Sequence, residues 1–288
     1  MAHPSRTTAR VPLTRYRGGG GERARDVVSL EEPMEIRVRP HGAEAATPIA
    51  VTMRTPGHDF ELVAGFLVTE GILGGWEDLL ELSYCRSKTG PQLYNIVEAR
   101  LRPGVSVDFA RLSRNVFTSS SCGVCGKGSL EALDMAGCRP LPTEGTIRLT
   151  PEVLASLPEA LRSGQSDFER TGGIHAAALA DAEGRLDTVF EDVGRHNAVD
   201  KVLGEAFLGR SLPRPDRVLV VSGRTSFEIL QKAVAAGVPA VVAVGAPTSL
   251  AIDLADRFNL TLAGFTRGGG FNLYAGAARV IDPSGVEA

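Results

Sequence analysis

Residues 217–266 alternate between short apolar runs and amphipathic segments, and this alternation constrains the fold more than any other feature of the chain. The run RVLVVSG is typical of a strand that is buried on both faces of a sheet, and PAVVAVG and LTLAGFT also favour strands. The segments between them have the apolar spacing of helices, and the pair Thr225 and Glu228 is typical of a capping box. Strand–helix alternation of this kind predicts a mainly parallel sheet covered by helices, which is an α/β fold.

The residues before this series predict a smaller, mixed α+β region. EIRVRP, PIAVTMRT, YNIVEARL and VSVDFARL favour strands, whereas HDFELVAGFLVTEGIL has helical spacing. We therefore expect a mixed N-terminal region over 28–113, a mobile loop over 114–128 and an α/β domain over 129–288. Residues 1–27 contain six arginines without apolar periodicity, which predicts a disordered tail.

The composition argues against several classes of protein. With a net charge of −3, the chain has no excess of positive charge with which to hold a nucleic-acid backbone. No apolar run approaches the roughly 20 residues of a membrane-spanning helix, and the N-terminal residues lack the apolar core of a secretory signal. We therefore expect a cytoplasmic protein that binds neither nucleic acid nor membranes and keeps its four cysteines as reduced thiols.

The stretch FTSSSCGVCGKGS, residues 117–129, places Cys122 and Cys125 three positions apart in a Ser- and Gly-rich loop. A structural zinc site needs four ligands, and the chain offers no second C-x-x-C or His pair at matching spacing, so we expect no zinc. An iron–sulfur cluster would need further cysteines in register. A thioredoxin-like redox pair, which usually lies between a strand and a long helix, remains an alternative, as does chance placement in a loop.

The functional interpretation of the two cysteines is nucleophilic sulfur chemistry. A thiolate on a mobile loop can accept a sulfane sulfur from one protein and carry it to a second site. Neighbouring glycines open backbone amides toward the sulfur, Lys127 adds positive charge, and a helix N-terminus is expected near Ser129. All three features favour the ionised thiol. The second thiol could protect or release the sulfur by forming a disulfide, and spacing alone does not decide which cysteine carries it.

Three loops that follow predicted strands each contain an arginine, namely Arg195, Arg224 and Arg267. Ligands of open α/β sheets bind beyond the carboxyl ends of the strands, and arginines with Gly-rich loops suit phosphate oxygens. We therefore hypothesise a site for a phosphorylated nucleotide or pterin, with surface arginines and turn-forming glycines as the alternative. No Walker A or strand-to-helix G-x-G-x-x-G pattern occurs, so ATP and NAD are not supported. His196 either begins a helix or faces the ligand, whereas His175 is interpreted as a core histidine.

Motifs in a fixed order along the chain carry a family resemblance. They are EEPMEIRV, TPGHDFELVAGFLVTEGI, SSSCGVCGKGSLEAL, TGGIHAAAL, EDVGRHNAVDKV, VSGRTSFEILQKAVAAGVP and LAGFTRGGGFNLY. Together they resemble the formate dehydrogenase accessory sulfurtransferase family, FdhD, from about residue 28 to 282. The resemblance implies a protein that takes sulfur from a cysteine desulfurase. It would deliver that sulfur to the molybdenum bis(guanine dinucleotide) cofactor before the cofactor is inserted into formate dehydrogenase. The resemblance also implies a homodimer whose C-terminal domain is similar to the cytidine deaminase fold.

The resemblance assigns roles to particular residues. Cys122 and Cys125 match the family's C-x-x-C, in which the first cysteine is usually taken as the persulfide carrier. The family's cofactor-binding stretch matches Phe265, Thr266, Arg267, Gly268, Gly269 and Gly270. Many members carry a basic residue where this chain has Gly270, so phosphate contacts would depend more on Arg267 and on backbone amides. Together with Arg195, His196 and Arg224 of the other two loops, this stretch forms the predicted cofactor site.

Two alternatives to sulfur transfer remain open, and a third fails on the residues. Zinc-dependent deamination, suggested by the deaminase-like fold, needs a His-x-Glu and a Pro-Cys-x-x-Cys, and neither occurs. A chaperone that carries the finished cofactor without transferring sulfur fits the same residues. Disulfide exchange predicts a reversible Cys122–Cys125 disulfide and no cofactor binding.

Overall fold

The computed structural model describes residues 6–85, 94–109 and 139–281. The strands within these ranges are β1 (Thr8–Arg17), β2 (Gly20–Ser29), β3 (Glu32–Arg39), β4 (Thr47–Arg54), β5 (Leu79–Tyr84), β6 (Ile96–Leu101), β7 (His175–Ala180), β8 (Phe190–Asp192), β9 (Val218–Val221), β10 (Ala240–Ala243), β11 (Thr261–Arg267) and β12 (Gly270–Ala275). The α-helices are α1 (Asp59–Thr69), α2 (Pro151–Ser163), α3 (Ser166–Thr171), α4 (Arg195–Leu208), α5 (Phe227–Ala235) and α6 (Ser249–Arg257).

A six-stranded sheet forms the centre of the second half of the chain, in the order β12-β11-β10-β9-β7-β8. Strands β9, β10 and β11 are parallel, as the strand–helix alternation predicts, but β7, β8 and β12 pair antiparallel with their neighbours. The expectation of a mainly parallel sheet is therefore wrong, because the sheet is mixed. The reason is that short connections without a helix, such as β11–β12, cannot make the crossover that parallel strands require. The deaminase-like topology stays a prediction.

Strand β9 of this sheet is buried on both faces, as its continuous apolar sequence predicts. On β9, Leu219 and Val221 pack in the core that includes side chains of α4, α5 and α6. Val218 and Val220 point to the opposite face and pack in the core that includes the leucines of α2. Each of the four side chains is at most 4% exposed, so helices cover both sides of the strand.

The smaller N-terminal unit is a four-stranded sheet, in the order β4-β3-β6-β5, packed against α1. This arrangement agrees with the mixed α+β region expected from the sequence. The unit contacts the rest of the chain chiefly where α1 crosses α4, and two glycines lie at the crossing. A Cβ on Gly65 would lie 1.9 Å from the carbonyl oxygen of Asp200, and one on Gly204 would lie 1.7 Å from that of Glu61. Backbones that approach so closely leave no room for a side chain.

Buried ion pairs add a polar connection between the two units. Asp192 lies 2.7 Å from the Lys201 ammonium and accepts the backbone N–H of Thr55 at 3.1 Å. Lys201 also donates to the carbonyl oxygen of Thr55 at 3.0 Å. Within the N-terminal unit, Arg54 forms two hydrogen bonds to Asp59, at 2.9 and 3.0 Å, and neither side chain is exposed. Because each buried charge has an opposite charge and further hydrogen bonds, the desolvation penalty is offset.

The first residues of the chain differ from the expected disordered tail. Thr8–Arg17 and Gly20–Ser29 pair along their whole length as an antiparallel hairpin around a Gly18–Gly19 turn. Side chains of Arg170 and Thr171 in α3 bond to the hydroxyl groups at the open end of the hairpin. The sequence indicated disorder because arginines interrupt the short apolar alternation. Pairing between the two strands satisfies the backbone without a long apolar face.

Other expectations concern segments near the predicted cysteine loop. The first part of VSVDFARL, residues 105–109, is not in a strand, whereas Leu79–Tyr84 forms a strand that the sequence did not indicate. Cys122, Cys125 and the expected mobile loop over 114–128 lie outside the described residues. No helix in the described ranges combines the length and the apolar character needed to cross a bilayer.

Candidate functional site

One edge of the six-stranded sheet collects the ends of five strands. The parallel strands β9, β10 and β11 end here, at Val221, Ala243 and Arg267. Because β7 runs antiparallel to β9, its first residue, His175, lies at the same edge, opposite Asp192 at the end of β8. This is the position at which open α/β sheets bind their ligands.

Four side chains with basic nitrogens lie at the β9 side of this edge. Arg195 and His196 begin α4, Arg224 follows β9, and His175 begins β7. The His175 ring and the Arg195 side chain both lie beside Gly223, since a Cβ built there would be 3.3 Å from His175 Nδ1 and 3.9 Å from Arg195 Cδ. The structure therefore brings together three of the predicted residues, Arg195, His196 and Arg224.

Burial and neighbouring positive charge keep both histidines neutral at pH 7. Burial, followed by the charge of Arg195, lowers the pKa of His196 to about 4. The same two causes lower the pKa of His175. His196 Nε2 also lies 3.5 Å from the hydroxyl oxygen of Ser226, the N-cap residue of α5. The site thus combines charged guanidinium groups with neutral imidazoles, and both kinds of group can donate hydrogen bonds to anionic oxygens.

The N-terminal unit fixes the loop that leads to Arg195. The Thr55 hydroxyl oxygen accepts the N–H of Val193 at 3.1 Å. Asp192 Oδ1 accepts the N–H of Gly194 at 2.8 Å, while the other oxygen of this carboxylate accepts the N–H of Thr55. Two consecutive amides of the loop are therefore held by the interface between the units, which sets where α4 begins.

Three buried polar atoms near this edge have no hydrogen-bond partner among the described residues, namely Thr225 Oγ1, Thr266 Oγ1 and Arg195 Nε. Both threonine side chains belong to residues that are 0% exposed. A buried polar group left unpaired costs about 1–3 kcal/mol, so such groups indicate where a ligand or water completes a site. The expectation that Thr225 begins a capping box is wrong, because α5 begins at Phe227 and Ser226 is its N-cap residue.

Phe265 lies at the same edge, two strands away from the arginine cluster. Its N–H donates to the carbonyl oxygen of Gly245 at 3.0 Å, and the N–H of Gly245 donates to that of Gly223 at 3.1 Å. Two interstrand steps correspond to about 10 Å. Phe265 has a φ of 51° and is 41% exposed. A bulky residue rarely adopts this left-handed conformation, and such strain is concentrated at functional sites.

The predicted glycine-rich stretch is the turn between β11 and β12. Gly268 and Gly269 have φ values of 59° and 79°, and Arg267 pairs with Gly270 across the turn. A two-residue hairpin loop with positive φ at both positions requires glycine or a residue like it, so the turn by itself explains these two glycines. The Arg267 guanidinium carbon lies 5.9 Å from the centre of the Phe265 ring. Arg267 therefore lies beside Phe265, two strands away from Arg195 and Arg224.

The sequence interpretation missed His175 as a residue of this edge. An apolar strand that begins with a histidine is typical of a core position, and a parallel sheet would have placed the start of β7 at the opposite edge. The antiparallel pairing of β7 with β9 reverses that placement. No signal in the sequence of β7 indicates its direction, because side chains alternate between the two faces in the same way whether the strand runs parallel or antiparallel to its neighbour.

The charge of Arg195 gives a testable expectation for the two histidines. We expect the Arg195→Gln variant to raise the pKa of both His175 and His196, because the substitution removes a positive charge that disfavours protonation of each ring. Two-dimensional NMR of the histidine ring Cε1–H groups across a pH titration would measure both values. In the unmodified protein, His196 should titrate at about 4.

An exposed arginine far from this edge provides the control. Arg185 lies in the turn after β7, and its side chain is 73% exposed, so Arg185→Gln should leave both histidine pKa values unchanged. A value for His196 near the ordinary 6.5 in the unmodified protein would contradict the buried, positively charged environment described above.

Three comparisons with known proteins bear on this site. Residues 30–281 match the model of the FdhD/NarQ family. The chain is 50% identical over 277 residues to the sulfur carrier protein FdhD of Streptomyces coelicolor, which covers 96% of each chain. It is 46% identical over 260 residues to the protein of the same name from Mycobacterium tuberculosis, covering 88% of this chain and 92% of the relative.

A solved structure has the same architecture. It is a crystal structure of a protein from Desulfotalea psychrophila that is described as a formate dehydrogenase accessory protein. The two structures superpose with a TM-score of 0.72 at 25% sequence identity, over 96% of this chain and 100% of the other.

Proposed function

Because this chain belongs to the FdhD/NarQ family, we propose that it carries sulfur in the maturation of formate dehydrogenase. The observation that carries the proposal is the similarity of 96% of this chain to a protein named a sulfur carrier. The chain also contains a C-x-x-C at Cys122 and Cys125. The donor in this proposal is a cysteine desulfurase, and the acceptor is the molybdenum bis(guanine dinucleotide) cofactor of formate dehydrogenase. We also propose that the protein acts as a homodimer.

Sulfur loading would occur on Cys122. Its thiolate attacks the terminal sulfur of a cysteine persulfide on the desulfurase. A new S–S bond forms on Cys122 while the S–S bond of the donor breaks, and the donor cysteine leaves as a thiolate. The electrons balance without an oxidant, because one persulfide replaces another. The glycines around Cys122 and the charge of Lys127 support the ionised form of the attacking sulfur.

Sulfur release would use the second cysteine. The Cys125 thiolate attacks the inner sulfur of the Cys122 persulfide and forms an intramolecular disulfide, and the terminal sulfur leaves as hydrosulfide. The two thiols supply the two electrons, and a thiol reductant restores them for the next cycle. The sulfide then becomes a ligand of the molybdenum in the bound cofactor, which is the substrate of this step.

The edge of the six-stranded sheet is the proposed binding site for that cofactor. Arg195, Arg224 and His196 would bind phosphate oxygens, for which guanidinium groups are well suited. The unpaired Arg195 Nε supports this role, because a ligand oxygen would complete its hydrogen bonding. Phe265 exposes its ring two strands away, where it can contact a base, and Arg267 lies beside that ring. The Gly268–Gly270 turn completes the proposed contact surface. The buried Thr266 precedes Arg267 in the chain, and its hydroxyl has no partner among the described residues.

A cofactor-carrying chaperone is the second candidate function. The arginine edge favours it, because binding a phosphorylated ligand does not by itself require sulfur chemistry. Disulfide exchange without cofactor binding is a third candidate, and the same experiment separates all three.

The experiment is intact mass spectrometry of the purified protein after incubation with a cysteine desulfurase and cysteine. Sulfur carriage predicts a mass gain of about one sulfur atom that a thiol reductant removes. No gain, with a guanine nucleotide still bound, would support the chaperone. A readily formed internal disulfide with neither sulfur gain nor nucleotide binding would support disulfide exchange.

We also propose that Arg267 contacts a phosphate of the cofactor, and this contact gives a further test of the same site. We expect Arg267→Ala to weaken the binding of guanosine diphosphate by about tenfold, since a charge-assisted hydrogen bond is worth about 1.5–3 kcal/mol. Isothermal titration calorimetry measures the affinity, and persulfide loading should be unchanged. Arg185→Ala is the control, because this exposed arginine lies in the turn after β7, at the opposite end of the sheet. Equal affinity of Arg267→Ala and the unmodified protein would argue against the proposed site.

A further inference from the structure

The hairpin formed by β1 and β2 has one strongly basic face. Residues directly opposite each other on paired strands project to the same face. The pairs Pro12 with Arg25, Thr14 with Arg23, and Tyr16 with Gly21 alternate with pairs that project to the other face. All six of these residues are exposed, and Tyr16 is 76% exposed. We refer to this surface, together with the pair Arg10 and Val27, as the basic face.

The basic face continues into a groove at the open end of the hairpin. The groove has a volume of about 420 Å³, and Arg6, Arg10, Val27 and Arg170 line it. Arg10 and Val27 are a cross-strand pair, so the groove and the basic face share these two residues. The Arg170 guanidinium donates to Thr8 at 3.1 Å, which fixes the hairpin against α3 and forms the far wall of the groove. Groove and face make one continuous track.

Three arginines on this track have no acidic partner among the described residues. None of the salt bridges within the described residues involves Arg10, Arg23 or Arg25, although the exposed Arg100 and Arg185 are both paired. Residues 6–29 contain six arginines against Glu22 and Asp26, which is a net charge of +4. Since the whole chain carries −3, all other residues together carry −7. The positive charge is therefore local and lies on an otherwise acidic protein.

We propose that this track is a docking site for an extended acidic segment of a partner protein. From Thr8 to Tyr16 the track is about 26 Å long, which accommodates about eight residues of extended chain. Its guanidinium groups are opposite in charge to carboxylates and can form two parallel hydrogen bonds with them. Exposed arginine and tyrosine are also the side chains that most often dominate binding at protein interfaces. The hairpin lies before residues 30–281, which match the family model, and it contributes no residue to the proposed sulfur or cofactor chemistry.

The charge distribution favours a short acidic segment over a nucleic acid. A DNA or RNA backbone is longer than the track and would extend over the rest of the protein, which carries a net charge of −7 and disfavours a polyanion. Single-stranded nucleic acids also need a series of aromatic side chains for stacking, and the track contributes Tyr16 alone. An extended segment of about eight acidic residues has the length of the track, about 26 Å.

The experiment measures the binding of a fluorescein-labelled eight-residue peptide of alternating Glu and Asp to the full-length protein by fluorescence anisotropy. We expect the double variant Arg23→Gln/Arg25→Gln to weaken binding by about tenfold, because two charged contacts are lost from an exposed interface. The matched control is Arg15→Gln/Arg17→Gln, which removes the same charge from the same hairpin on its opposite face. That control should change the affinity less than twofold. Circular dichroism of each variant verifies that the protein remains folded.

The outcomes decide the proposal without reference to sulfur transfer. A loss of peptide affinity in Arg23→Gln/Arg25→Gln, but not in the control, supports the proposed docking site. Weaker peptide binding by the single variant Arg10→Gln supports it as well. Equal loss in both double variants would mean that only net charge attracts the peptide, and the proposal would fail. Tighter binding of a single-stranded oligonucleotide or of phosphatidylserine vesicles to the same face would also overturn it. Persulfide loading is measured in a separate experiment. A protein that carries sulfur but does not bind the acidic peptide would therefore contradict the docking site and leave the proposed function intact.

Discussion

The Cys122→Ala variant should acquire no persulfide when incubated with a cysteine desulfurase and cysteine, whereas Cys125→Ala should still be loaded. The reason is chemical, because only a thiolate at the attacking position can take the terminal sulfur of the donor. In Cys125→Ala the persulfide should persist, since the thiol proposed to release it is absent. Intact mass spectrometry before and after treatment with a thiol reductant measures both expectations.

The cysteine at the end of strand β5 provides a matched control for this experiment. Cys85 is half-buried, and burial, reinforced by the charge of Glu98, raises the pKa of its thiol. A thiol that is less ionised is a poor acceptor of sulfur, so Cys85→Ala should load as the unmodified protein does. Loading that persists in Cys122→Ala and is lost in Cys125→Ala would assign the carrier role to the second cysteine and contradict the proposed order of transfer.

The second large effect is expected at the crossing of α1 and α4. Gly204→Ala should lower the free energy of unfolding by about 3 kcal/mol, at the upper end of the usual cost of overpacking. The added methyl group would lie 1.7 Å from the carbonyl oxygen of Glu61 and 2.7 Å from the backbone nitrogen of Gly65. Because the obstacles are backbone atoms, no side chain can rotate away, and the helices must separate. Urea denaturation followed by circular dichroism measures the change.

The control for this variant is a glycine with free space around it. A Cβ on Gly173 would have its nearest neighbour at 3.9 Å, so Gly173→Ala should change the free energy of unfolding by less than about 0.5 kcal/mol. Gly65→Ala, on the facing helix, should be as destabilising as Gly204→Ala. Equal denaturation midpoints for Gly204→Ala and the unmodified protein would show that the two helices do not pack this closely in solution.

The helix crossing also bears on the candidate site. Helix α4 begins with Arg195 and His196 at the ligand edge and passes Gly204 before it ends at Leu208. A shift of α4 away from α1 would therefore move the two basic side chains as well as open the interface. The buried Asp192–Lys201 pair holds the same helix to the N-terminal unit. The N-terminal unit thus sets the position of residues that contact the ligand in the proposed site, although it provides none of them.

Much of the fold follows from local patterns in the sequence. The apolar run at Val218–Val221 predicts a strand that is buried on both faces, and the structure confirms it. Helical spacing in HDFELVAGFLVTEGIL likewise predicts α1, which spans Asp59–Thr69. The motifs that carry the family resemblance are local as well, and the match over residues 30–281 confirms the family. Local patterns succeed because they depend only on which side chains of an element face the core.

The candidate site was only partly predictable. Arg195, His196 and Arg224 were expected to lie together, because each follows a predicted strand, and the structure places them at one edge. His175 was assigned to the core, since the direction of β7 cannot be read from an apolar strand. The assigned roles of Cys122 and Cys125 remain predictions, because both residues lie outside the described part of the chain.

The sequence by itself determined many of the elements, such as β9 and α1, the parallel pairing of β9, β10 and β11, and the membership of a family. Only the tertiary structure decided that β7 runs antiparallel, that Gly65 and Gly204 bring two helices into backbone contact, and that an arginine-rich N-terminal segment pairs as a hairpin. The physical reason is the range of the interactions. Periodicity indicates which face of a helix or strand is buried. Strand direction, helix crossing and hairpin pairing depend instead on contacts with other segments of the chain, which a local pattern does not specify.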